Sequence, residues 1–227
     1  VYPLDRAGVP GELSDLRIHE GRGPDPHRQT APHVHMASPD PGGGSLLAVD
    51  LGVDAIYRYR IEPPGRLLPS GEPVRTEPGT GPRHLARHPN GSRCYLVGEL
   101  DATVTAYEVG PDGGLREQGR WATSERQGHV QPSEVAVGAD GRFLYVANRG
   151  VNTLAVFAIT DASLRYVAEI DVQGNWPRHF TLWGPHLYVA NERSHTVAVF
   201  QVDAATGVPE PDGHPLAVAS PTCIVVS

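Results

Sequence analysis

Residues 129–160 read HVQPSEVAVGADGRFLYVANRGVNTLAVFAIT. Glu134 to Gly138 is a short apolar strand, and Asp140-Gly141 is the strongest dipeptide signal for a hairpin turn. Arg142 to Asn148 is a second strand rich in β-formers, and Arg149-Gly150 turns the chain again. Thr153 to Ile159 is a third strand. Its apolar residues run almost without interruption, as they must where both faces of a sheet are covered. A fourth strand, Leu164 to Val172, completes the unit.

The unit recurs. A proline opens each copy, at Pro32, Pro82, Pro132, Pro177 and Pro221, with spacings of 50, 50, 45 and 44 residues. Second strands follow in step as SLLAVDLG, CYLVGEL, FLYVANRG and LYVANER, and third strands as DAIYRYRI, ATVTAYEV, NTLAVFAI and HTVAVFQV. A four-stranded antiparallel unit of roughly 40 to 50 residues that buries both faces is the mark of a β-propeller blade stacked between neighbours. The expected class is therefore all-β, with one propeller domain over residues 1–227. Its blades are expected at about 32–76, 82–122, 132–172 and 177–219, with a partial blade over 1–20 and a single strand at 221–227. Residues 1–20 read as the last two strands of a blade whose first half is absent. Both ends would otherwise leave open sheet edges, so the chain is expected to be N-terminally incomplete. A closed five-bladed ring is the less favoured alternative.

Composition limits the partners. Hydrophobic residues make up 39% of the chain and charged residues 20%, enough for a core, and no run approaches the roughly 18 apolar residues of a membrane span. The net charge of -7 argues against non-specific nucleic-acid binding. All 19 basic residues are arginine. Schiff-base and lysine general-base chemistry are thereby excluded. Cys94 and Cys223 lie within strand patterns without a CxxC neighbour, and both are expected to fill core space.

In an antiparallel blade the start of the first strand and the end of the second share one face of the disc. That rim should collect His33, His35, Asp50, Asp54, Arg83 and His84 from the earlier units. It should also collect Glu99, Glu134, Arg149, Arg178, His179 and Glu192 from the later ones. His33 and His35, two apart on a strand, face the same side, as a metal pair would. A zinc site needs at least a third ligand, so neither a metal nor any other cofactor is expected. Asp50 and Asp54 also fit simple turn hydrogen bonding. Arg83 and Arg178 also fit a structural ring with Glu99 and Glu134 across blades.

RQTAPHVH, DLGVDAI, GPRHLARHP, GELDATVTAYE, SEVAVGADGRFLYVANRG and WPRHF together resemble the lactonase family of seven-bladed propellers, which includes 6-phosphogluconolactonases and carboxymuconate-lactonising enzymes. The resemblance covers nearly the whole chain and implies that about the first third of a typical member is absent. In that family strands from the N-terminus close the last blade, which would account for the lone strand at Pro221. It implies a catalytic histidine within Pro32-His33-Val34-His35, with His33 preferred and His35 beside it contacting substrate. It further implies functional arginines at Arg83, Arg149 and Arg178 and a carboxylate at Glu99. Asp50 and Glu134 complete the candidate substrate-binding set, although Glu134 also fits a structural role. Asn191-Glu192 departs from the pattern, since a neutral polar residue is expected after the asparagine and a carboxylate there would weaken anion binding.

The chemistry suits these residue types. Guanidinium groups stabilise the oxyanion that develops on a lactone carbonyl, and an imidazole accepts a proton from water. Glu99 would orient the histidine or bind a sugar hydroxyl. The expected activity is metal-independent hydrolysis of an anionic sugar lactone, foremost 6-phosphogluconolactone in the pentose phosphate pathway, by a cytoplasmic monomer, with a dimer as the alternative. A muconate-type lactone cyclase and a non-catalytic binding scaffold are the competing readings. A docking rim usually offers aromatic anchors, and this one reads as arginine, histidine and carboxylate.

Overall fold

The computed structural model describes residues 1–161 and 163–226. It resolves into two compact units, Val1–Arg83 and His84–Ser227.

The first unit holds one sheet. Strands β1 (Val34–Pro39), β2 (Ser45–Asp50), β3 (Ala55–Glu62) and β4 (Arg66–Pro69) form an antiparallel meander, and β5 (Val74–Arg75) pairs with the start of β3. A 3₁₀ turn, Leu51–Val53, joins β2 to β3, and Asp54 closes it at φ +52°. Ahead of β1 the chain forms no ladder beyond one bridge between Leu4 and Pro10. The two strands expected within residues 1–20 are thus not found. Pro3 and Pro10 cannot donate to a ladder, and side chains hold the segment instead. Asp15 Oδ2 accepts the Leu67 N–H at 2.7 Å, and Ser14 Oγ donates to Gly65 O at 3.1 Å. The Leu67 bond, with Arg17 nearby, keeps the Asp15 carboxyl below the usual carboxylate range despite some desolvation.

The second unit carries three sheets. The first runs β6 (Pro82–Arg87), β7 (Arg93–Gly98), β8 (Thr103–Val109) and β9 (Leu115–Ala122), and the boundary between the units falls within β6. The second runs β10 (Val130–Val137), β11 (Phe143–Gly150), β12 (Thr153–Ile159) and β13 (Leu164–Asp171). The third runs β14 (Pro177–Trp183), β15 (His186–Asn191), β16 (Thr196–Val202) and β17 (Pro209–Pro211), with the short β18 (Leu216–Ala217) beside β16. Among the described residues there is no α-helix.

The middle sheet explains the continuous apolar runs. Successive strand side chains point to opposite faces. Accordingly Leu144, Val146, Ala155 and Phe157 pack against Tyr95, Val97 and Val104 of the preceding sheet. Tyr145, Ala147, Leu154 and Val156 pack against Phe180, Leu187, Val189 and Phe200 of the following one. Neither face meets water, so neither tolerates polar alternation. Burying each such large side chain contributes about 1.5–3 kcal/mol of transfer free energy.

Several boundaries shift. The Asp140-Gly141 turn forms, with Gly141 at φ +75° and its N–H donating to Gly138 O at 2.8 Å. β11 runs on through Arg149 and Gly150, and the chain turns at Val151-Asn152 instead, with Asn152 at φ +57°. Arg149 is therefore a ladder residue opposite Gln131 rather than part of a turn. Residues 221–226 form no strand, and Ser227 lies outside the described residues. Of the two cysteines, Cys94 is buried as expected, but Cys223 is exposed because the expected ladder around it does not form.

Candidate active site

Three opening strands carry the same irregularity. The register of β1 on β2 shifts between Val34 and Met36, that of β10 on β11 between Pro132 and Val135, and that of β14 on β15 between Pro177 and His179. A bulge re-aims the side chains it contains and is over-represented beside active sites. The bulged residues include His35, Ser133, Glu134 and Arg178, three of them candidate site residues.

In the second unit the central pair is Arg149 and Glu99. Glu99 follows β7 directly, and Arg149 sits at the end of β11. Their exposures are 2% and 5%. Arg149 Nη2 donates to Glu99 Oε2 at 2.8 Å and to Pro132 O at 3.0 Å, and Nε donates to Gln131 O at 3.2 Å. Gln131 Nε2 donates to Glu99 Oε1 at 3.2 Å. Glu99 thus holds an arginine and a glutamine. A buried guanidinium needs a counter-charge and hydrogen-bond acceptors around it, and it has both.

A second cluster forms around Glu134. His84 Nδ1 lies 2.9 Å and His179 Nε2 3.3 Å from Glu134 Oε2, while Oε1 accepts the Val135 N–H at 3.0 Å. His179 Nδ1 accepts the Ile224 N–H at 3.3 Å, so its proton sits on Nε2 facing the carboxylate. His84, Glu134 and His179 each stand two residues after the opening proline of their unit. The sequence assigned the two histidines no role, and they replace the arginines expected as partners of Glu134. Arg178 instead pairs with Glu192 at 3.2 Å, which offsets the carboxylate that had looked unfavourable for an anion.

Beside Arg149 lies Trp176, half-buried, with its indole centroid 5.5 Å from the Arg149 Cζ and 3.3 Å from the Arg193 Cζ. The His129 ring stacks on it at 6.4 Å, with the planes 15° apart. Gln131, His129, Trp176 and Arg193 were missed as candidates. The legible signal was Trp176 immediately before an opening proline, in a position where the chain is driven out of the helical region. Trp176 also supplies the aromatic group that the rim had seemed to lack.

The remaining candidates lie in the first unit. The His33 and His35 rings are 5.8 Å apart, consistent with side chains on one side of a strand. Asp50 is fully buried, and both its oxygens are committed within the protein. Oδ1 accepts the His33 N–H at 2.7 Å and the Gly52 N–H at 3.0 Å, and Oδ2 meets His19 Nδ1 at 2.6 Å. Its role as a substrate contact is replaced by a structural one, because a carboxylate capping a turn and holding an imidazole has little left to offer a ligand. His19 Nε2 meets the Tyr59 hydroxyl at 2.9 Å, and the ring stacks on Tyr57 at 3.6 Å. Burial raises the Tyr59 phenol above its ordinary value, so it stays protonated. Asp54 likewise accepts from Gln29 at 2.8 Å, Gly79 N at 2.7 Å and Gly81 N at 2.8 Å. Arg83 is buried at the end of this unit.

The family model described as lactonase, 7-bladed beta-propeller, matches residues 1–226. A 6-phosphogluconolactonase of Bacillus subtilis is 37% identical over 185 residues, covering 79% of this chain and 52% of the relative. A 6-phosphogluconolactonase of Formosa agariphila is 28% identical over 216 residues, covering 91% and 61%. The solved periplasmic gluconolactonase of Pseudomonas aeruginosa superposes with a TM-score of 0.90 at 33% identity, covering 97% of this chain and 64% of that one. The chain therefore spans about half the length of the Bacillus subtilis relative, at 52%. No helix among the described residues is long and apolar enough to cross a membrane.

Proposed function

This chain belongs to the lactonase family of seven-bladed β-propellers, and on that basis we propose that the protein hydrolyses an anionic sugar lactone, foremost 6-phosphogluconolactone to 6-phosphogluconate. The relatives named for that activity support the reading. The observation that carries it in this chain is the Arg149 guanidinium, held almost fully buried against Glu99 at 2.8 Å beside a half-buried indole. A fixed cation in a water-poor setting is what a developing oxyanion requires, and removing one such donor typically raises a barrier by about 3 kcal/mol.

In this mechanism water adds to the lactone carbonyl and gives its proton to an imidazole. The tetrahedral oxyanion is stabilised by guanidinium donors. It collapses with cleavage of the ring carbon–oxygen bond, and the imidazolium returns the proton to the departing ring oxygen. The resemblance assigns the imidazole to His33, with His35 beside it, and the donors to Arg83 and Arg149. Arg178 flanks the substrate's anionic group, Glu99 positions Arg149, and Glu134 holds the imidazoles of His84 and His179. The reading treats residues 1–227 as one propeller domain acting as a monomer in the pentose phosphate pathway of the cytoplasm.

The test is acid release from 6-phosphogluconolactone followed at constant pH, with the protein present and absent. Turnover above the spontaneous rate is expected, and equal rates would overturn the reading. A muconate absorbance change in place of lactone hydrolysis would redirect it to the cyclase.

A further inference from the structure

Trp176 is held in a conformation that a bulky side chain rarely adopts, with φ at +67°. Such a backbone costs on the order of 1–3 kcal/mol and persists only where its surroundings enforce it. Here they do. The Trp176 N–H donates to Asn152 Oδ1 at 2.8 Å, and its carbonyl accepts the Glu192 N–H at 3.1 Å. The neighbouring Asn175 carbonyl accepts the Arg193 N–H at 3.1 Å, and the Asn175 N–H donates to Ser194 Oγ at 3.0 Å. The loop carrying the indole and the turn carrying Arg193 are therefore locked to each other.

Arg193 lies on the indole with its Cζ 3.3 Å from the ring centroid, yet its guanidinium makes no hydrogen bond or ion pair among the described residues and is exposed. Arg149, over the same ring, has its Nε and Nη2 engaged by Gln131, Pro132 and Glu99. The nearby Glu192 is engaged by Arg178. One ring thus carries two guanidinium groups with different roles. Arg149 is anchored, while Arg193 is stacked, oriented and turned to solvent with its donors available. Stacking fixes the plane of a guanidinium without using its N–H groups, which leaves its fork pre-set for an oxyanion.

We propose that Arg193, on the platform of Trp176, binds the anionic group of the substrate remote from the lactone carbonyl, and that this pair makes the site prefer a phosphorylated sugar lactone to the neutral one. The inference rests on the proposed function for its substrate class. The carboxyl of a sugar acid is closed into the lactone ring, so the anion available to Arg193 is the phosphate. A forked donor set fits that group, and no competing carboxylate occupies it.

The test uses binding and turnover separately on the whole protein. Calorimetric affinity for 6-phosphogluconate and for gluconate is compared with KM for 6-phosphogluconolactone and for glucono-1,5-lactone, in wild type, Arg193→Gln, Arg193→Lys and Trp176→Leu. The wild type is expected to bind 6-phosphogluconate more tightly than gluconate. Arg193→Gln should shrink that preference about 10- to 100-fold, as loss of one charge-assisted contact does. Arg193→Lys should restore part of it, and Trp176→Leu should lose most of it through a guanidinium no longer held flat. Arg116→Gln, at an exposed ion pair with Glu108, should leave the preference intact. Equal weakening for both ligands, or an unaltered preference in Arg193→Gln and Trp176→Leu, overturns the inference, as does a wild type with no preference. If 6-phosphogluconate binds with the expected dependence on Arg193 while neither lactone is hydrolysed, the inference stands and the proposed activity falls.

Discussion

Arg149 Nη2 lies 2.8 Å from Glu99 Oε2, between side chains drawn from adjacent sheets and separated by 50 residues. Both groups are out of water, so the pair resists separation far more than a surface ion pair does. Glu99→Ala would strand a buried cation and should destabilise the protein by about 3–5 kcal/mol. Glu99→Gln keeps an acceptor in place and should lose less stability while still impairing turnover, because the anchor has lost its charge. Urea unfolding and lactone hydrolysis measured on both variants check this. A Glu99→Ala protein within 1 kcal/mol of wild type, on the order of what an exposed pair contributes, would contradict the buried geometry.

Glu134 accepts from three groups at once. Glu134→Ala leaves the buried Val135 N–H without its acceptor, at a cost of about 1–3 kcal/mol, and removes the carboxylate beside two partly exposed imidazoles. Glu134→Gln retains a carbonyl acceptor and should recover much of the loss. The comparison is read from unfolding midpoints at equal denaturant slope. Identical midpoints for the two variants would show that the cluster is not what holds the three opening strands.

Gly150 ends β11 at φ +87°, and a Cβ there would stand 2.1 Å from the His129 carbonyl oxygen. Since the obstacle is backbone, it cannot swing aside. Gly150→Ala should cost more than about 1 kcal/mol and displace the Val130–Gly150 end of the ladder that carries Gln131 and Arg149. Amide exchange at Val130 and Gln131 should quicken selectively. Unchanged protection would refute the close approach.

Tyr145 donates its hydroxyl to Gly207 O at 3.0 Å, and burial pushes the phenol up from 10.0 to about 12. The neutral form is the one the fold favours. Its contribution is therefore complete below pH 10 and is lost as the pH climbs toward 12. Tyr145→Phe should be slightly less stable at pH 8, on the order of 1 kcal/mol for the lost hydrogen bond, and should show a shallower decline between pH 10 and 11. Cys94, raised to about 12 by the same desolvation, keeps part of the slope in the variant. Unfolding free energies at the three pH values decide the matter.

Some of the architecture was legible because it is written in local patterns. Side chains alternate faces every residue along a strand, so an uninterrupted run such as Thr153–Ile159 announced a sheet covered on both sides, and the strand falls on those residues. The recurring prolines and the Asp140-Gly141 turn set the period of the four-stranded unit. The same local reading overreached at residues 1–20 and 221–226. A strand exists only through the partner it pairs with, and apolar patterning does not say whether one is there.

The site depended on relations that no local window contains. Glu99, Arg149, Glu134 and Arg178 were all singled out from the sequence, but which residues they would pair with was not. Glu99 met Arg149 and Gln131, Glu134 met His84 and His179, and Arg178 met Glu192. Titratable candidates stood at four of the five openings, and the bulges at Pro132–Val135 and Pro177–His179 contain two of them, Glu134 and Arg178. The sequence by itself determined the repeat, the covered sheets and the chemical types available to the site. Only the tertiary structure decided the pairing, because hydrogen bonds choose partners to within a fraction of an ångström, and register and sheet spacing set that distance.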